Sequence, residues 1–194
     1  MYPFMLKLSR LMAYLGGLML IALILMACVS IVGRSLNGVL HSDFFQGGLK
    51  GFADWALALG IGPINGDFEL IEAGIAFSIF SFLPLCQISG GHATVDIFTS
   101  QMSDRANRIL RVIIDILFAA VIVLIAVQLL GGMQSKMRSG QTTLLIQFPV
   151  WWAYAPSVVG AAVAAIISIY IAVVRLAEAA TGQAILPADL GADH

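Results

Sequence analysis

Leu11 to Val32 reads LMAYLGGLMLIALILMACVSIV, with no charged side chain anywhere along it. A helix needs about 20 apolar residues to cross the hydrocarbon core of a bilayer, and this run is long enough. Further along the chain, Ala73 to Gly90, Val112 to Met133 and Phe148 to Val174 have the same character. The ionisable residues near these runs gather at their ends, and the furthest inside is Asp115, about one turn into the third. The pattern predicts an all-α polytopic membrane protein with spans at about 11–33, 68–90, 109–133 and 148–175, forming one membrane domain over 1–194.

Composition agrees. Apolar residues make up 60% of the 194-residue chain and charged residues 11%, and the mean hydropathy is +0.96. These values exclude a soluble globular domain. A formal net charge of -1 with scattered Lys and Arg excludes a basic nucleic-acid surface. Cys28 and Cys86 lie in apolar runs outside any CxxC or Cys/His cluster, which makes them packing residues. Lys7 and Arg10 precede Leu25-Met26-Ala27-Cys28, a loose likeness to a lipoprotein cleavage box, but the apolar run continues to Val32 and favours an uncleaved span.

Basic residues near membrane ends mark the cytoplasmic side. Lys7, Arg10, Arg105, Arg108, Arg111 and Arg175 fall on one side, and Arg34, Lys50, Lys136 and Arg138 on the other. This count places both termini inside. On the outer side, His41 to Gly66 is long for a connection. Within it Phe45, Leu49, Phe52, Ala56 and Leu59 recur at helical spacing, predicting an amphipathic helix on the membrane surface with Phe45, Leu49 and Phe52 turned to lipid or a partner. Gly47, Gly48 and Gly51 argue against helix there. A tail, 178–194, follows span 4.

Polar groups at mid-depth, which are costly and usually functional in membranes, are scarce. Glu69 and Glu72 share a face at the outer end of span 2, and Arg34 closes span 1, so an ion pair across the two ends is expected, with cation binding or a proton relay as the alternative. Asp115 and Arg111, four residues apart, read as a local pair. On span 2, Gly74, Ser78 and Ser81 align; on span 4, Gly160, Ala164 and Ser168 do. Small residues in a stripe allow close helix approach, within this chain or to another subunit. Pro149 and Trp151 mark a helix entry and an aromatic belt before span 4. Gly90-Gly91 ends span 2, where His92 and Asp96 cap backbone groups or belong to a ligand site. No catalytic constellation, cofactor motif or metal cluster is legible, and His41, His92 and His194 all lie outside the spans, against a haem or quinone bundle.

Arg34, the acidic opening of span 2 (Glu69-Leu70-Ile71-Glu72), Gly91-His92-x-x-Val95-Asp96 and Pro149-x-Trp151, taken in order, resemble the small membrane subunit of tripartite ATP-independent periplasmic (TRAP) transporters, the DctQ-like family. The outer insertion 41–66 and an acidic tail depart from the family pattern. The resemblance implies a non-enzymatic bacterial inner-membrane subunit in contact with membrane lipid, partnering a large multi-span permease. In such a system a periplasmic binding protein delivers an organic acid, and an ion gradient, commonly of sodium, drives its uptake. Two rivals remain: a small homo-oligomeric proton-coupled exporter using Glu72 or Asp115, and a four-helix redox protein.

Overall fold

The computed structural model describes residues 1–91 and 103–181, and its regular elements are helices: α1 (Tyr2–Leu40), α2 (Asp43–Gly48), α3 (Lys50–Ala58), α4 (Asp67–Ile88), α5 (Asp104–Ser139) and α6 (Trp151–Thr181). Four of them, α1, α4, α5 and α6, are long and apolar enough to cross a membrane. The protein is an all-helical, multi-pass membrane protein.

The helices outrun the apolar stretches that announce them. The 39 residues of α1 extend about 58 Å at about 1.5 Å per residue, nearly twice a hydrocarbon core, whereas the 22 residues of α4 extend about 33 Å. The reason lies in what stops each one. Gly33 and Gly38 sit inside α1 without breaking it, because an uninterrupted hydrogen-bond ladder tolerates isolated glycines. By contrast α4 is closed at both ends. Gly66, with φ +74°, turns the chain into it, and at the far end Gly90, with φ +63°, lets the Gly91 amide reach back to the Cys86 carbonyl at 2.9 Å. Gly140, with φ +63°, ends α5 in the same left-handed conformation.

Segment 41–66 differs from the single helix expected. Leu49, at φ −127° and ψ 32°, breaks it into α2 and α3 just after the helix-weakening Gly47 and Gly48. Ala53 and Ala56 are fully buried against Leu40 at the end of α1, and Phe45 packs onto the same cluster. Phe45 therefore faces inward, correcting its expected outward orientation. Phe44, Leu49, Phe52 and Trp55 are exposed.

The four long helices stand in a row, α1, α4, α6, α5, and not in a closed bundle. Extended interfaces join α1 to α4, α4 to α6 and α6 to α5. α1 reaches α6 only near Tyr2, Met5 and Leu6, beside Ile167 and Ile171, while α4 and α5 share no extended interface. Burial follows from this order. Half of the most apolar window of α6 is buried and a third of that of α4, against 17% for each of the end helices α1 and α5.

The small residues make the central contacts. A Cβ on Gly74 would lie 2.7 Å from the Leu23 side chain, and one on Gly16 would lie 2.8 Å from Ser81. The Ser78 hydroxyl donates to the Gly74 carbonyl at 2.9 Å and stands 3.3 Å from that of Gly16. A Cβ on Gly160 would meet Phe80 at 3.0 Å. Pro84, buried inside α4, has no N–H for the Phe80 carbonyl, so Gly160 of α6 packs at a point where the α4 ladder lacks a donor. Ala164 packs with Ile122 of α5, and Ser168 is equally buried. Both stripes thus face neighbouring helices of the same chain.

Candidate functional site

Ion pairs join the long helices in two places, far apart along their length. At one end, Ser30 and Arg34 lie one helical turn apart on α1 and both reach Asp67, the first residue of α4. The Ser30 hydroxyl donates to the Asp67 carboxylate and accepts the Ile64 amide at 3.2 Å. The Arg34 guanidinium lies 3.4 Å from Asp67, with its own side chain 67% exposed. An exposed ion pair of this kind contributes little alone. Here it belongs to a knot: Asn37 donates to the Ile61 carbonyl at 3.0 Å, and a Cβ on Gly33 would fall 2.1 Å from the Gly62 carbonyl oxygen.

This arrangement corrects the expected pairing of Arg34 with Glu69 or Glu72. Three acidic residues open α4, and helical register directs only Asp67 toward α1. Glu69 points the other way, accepting the backbone amides of Leu145 at 2.8 Å and Ile146 at 3.1 Å. It thereby ties α4 to the loop between α5 and α6. That loop is a short hairpin: Thr142 bridges Pro149, the Thr143 amide donates to Phe148, and the Val150 amide donates to Gln141. Pro149 thus belongs to the hairpin, two residues ahead of Trp151, the first residue of α6, and Trp152 stacks edge-on against Trp151. Gln147, with φ +59°, turns the hairpin, and Leu144 and Leu145 project from its tip.

Between α4, α5 and this hairpin lies a groove of about 970 Å³. It exists because α6 separates α4 from α5. The start of α6 (Ala153, Tyr154, Ser157) forms its floor. One wall is α4 (Glu69, Glu72, Ala73, Ala76), the other is α5 (Leu129, Lys136), and hairpin residues Gln141 to Leu145 close its end. Lys136 is held by Gln141 at 2.6 Å. Glu72 is exposed to the groove and has no hydrogen-bond or ion-pair partner among the described residues.

At the opposite end, Asp115 lies 3.8 Å from Arg175 of α6 and accepts from Gln87 of α4 at 3.4 Å, while Arg175 also meets Glu178 at 3.3 Å. The expected local pair with Arg111 left out this connection across three helices. Gly91 caps α4 as described, but His92 and Asp96 lie outside the described residues. Among the described residues no group of three or more His, Cys, Asp or Glu is placed to hold a metal ion. The chemistry on view is helix docking and charge pairing. Sequence reasoning missed Ser30, Asn37, Gly33 and Asp67. The i,i+4 spacing of Ser30 and Arg34 was the available signal.

Comparison with known proteins gives one finding. A family model described as "Tripartite ATP-independent periplasmic transporters, DctQ component" matches residues 55–179. No curated protein and no solved structure matches the chain.

Proposed function

Because the chain belongs to the DctQ component family of tripartite ATP-independent periplasmic transporters, we propose that it is the small permease subunit that holds a large multi-span permease in place. In this reading a periplasmic binding protein delivers an organic acid, the large permease carries the substrate and its coupling ion, and the present chain supplies a fixed scaffold in the bacterial inner membrane. The Arg34 end faces the periplasm and both termini face the cytoplasm, as the distribution of Lys and Arg favours.

One observation carries the scaffold role. The row of four helices buries only 17% of the most apolar window of each end helix, so two broad apolar faces are left for lipid and a partner. Supporting it, the ion pairs Arg34–Asp67 and Asp115–Arg175 bind helices to one another, and the close helix contacts between them are made by glycine, alanine and serine.

Reconstitution tests the proposal. Proteoliposomes containing this chain, the cognate large permease and the binding protein should accumulate substrate under an ion gradient, and omission of any one should abolish uptake. Uptake by this chain alone would instead establish the small exporter.

A further inference from the structure

The groove between α4, α5 and the hairpin is a candidate contact surface that family membership does not describe. Its lining carries three charged side chains, Glu69, Glu72 and Lys136, two carboxylates against one ammonium. Glu69 is engaged by the hairpin amides and Lys136 by Gln141. Glu72 is left over. It lies five residues into α4, about 7.5 Å below the start of the helix, where an uncompensated carboxylate at a membrane boundary is unfavourable.

Large apolar side chains, Phe68, Leu129, Phe148 and Tyr154 among them, supply much of the lining, but two strips of it are small. Ala73 and Ala76 lie one turn apart on its α4 wall, and Ala153 and Ser157 lie one turn apart on its floor. Small residues on two adjoining helices let a third backbone approach, a need that flexible acyl chains do not have. The acidic surplus also repels a lipid phosphate and attracts a cationic side chain.

We propose that this groove seats a membrane helix of the large permease, and that a Lys or Arg near the periplasmic end of that helix pairs with Glu72. The inference rests on the small-subunit reading and specifies where that subunit meets its partner.

The test is co-expression of the full chain with its cognate large permease, followed by affinity purification. Glu72→Lys and Ala76→Leu should each lower the recovered permease about tenfold, with Glu72→Gln intermediate, while the isolated variants keep the wild-type melting temperature. A benzophenone side chain placed at Ala76 should crosslink to a single permease helix, which keeps the proposal testable if a variant fails to fold. Undiminished recovery with both Glu72→Lys and Ala76→Leu overturns the proposal. So does a crosslink to phospholipid alone, which would make the groove a lipid site. If wild-type chain recovers no permease, the small-subunit reading itself fails, and the groove assignment with it.

Discussion

Gly33 and Gly38 are the same residue type, five apart on one helix, yet their surroundings differ completely. A Cβ at Gly33 would strike the Gly62 carbonyl oxygen at 2.1 Å, a backbone atom that cannot rotate away, whereas nothing lies within 4 Å of a Cβ at Gly38. Gly33→Ala should therefore destabilise by about 1–3 kcal/mol through overpacking. Gly38→Ala should be neutral or stabilising by up to about 1 kcal/mol through helix propensity. Thermal unfolding of the two variants in detergent checks the contrast, and equal melting temperatures would remove the Gly33–Gly62 contact from the account. This difference was not legible in the sequence, because it depends on where the turn 60–66 passes. The same holds for the acidic residues of α4. Asp67, Glu69 and Glu72 look equivalent in a string of letters, but register sends the first to α1, the second to the hairpin and the third into the groove.

At the scale of elements, the apolar runs announced all four long helices, since length and lack of charge are properties of the string itself. Their ends were less legible, because both α1 and α5 continue past the apolar stretch, α5 as far as the left-handed Gly140 and α1 as far as His41, where no glycine or proline marks the stop. The glycines of segment 41–66 hinted at a weak helix but not at its split into α2 and α3, and the inward turn of Phe45 required knowing that Leu40 lies beneath it. The hairpin between α5 and α6 gives a test at this scale. Glu69→Gln weakens the acceptor of two backbone amides, so hydrogen exchange at Leu145 and Ile146 should accelerate while the helices keep their protection. Unchanged exchange at those two amides would show that the hairpin is held by its own cross-strand bonds. Helix packing gives another. Ala164, 1% exposed between α4 and α5, should not accept leucine without a loss of about 1–3 kcal/mol, read from the unfolding midpoint, while Val159→Leu on an exposed face should be silent.

For the molecule as a whole, the placement of charge bears on the division of labour. Asp115 is tied to Arg175 and Gln87, and Arg175 also to Glu178, so the network has structural partners enough to account for it. Asp115→Asn should leave uptake by the assembled transporter largely intact, and a collapse of uptake with normal complex recovery would give this residue a role in transport. The spatial order of the helices was the least legible feature, since the chain lists its spans one to four while the row places the fourth between the second and third. That order has a consequence for biogenesis. A ribosome delivers the helices from the amino terminus onward, so α1, α4 and α5 have all emerged before the helix that belongs in the middle. Until α6 arrives, α5 has no extended interface with α4 and is a separate passenger in the lipid. The latest of these four spans to leave the translocon is thus the keystone. Chains cut short before Trp151 should yield a paired α1–α4 unit and an α5 that proteases and quality control treat as unassembled.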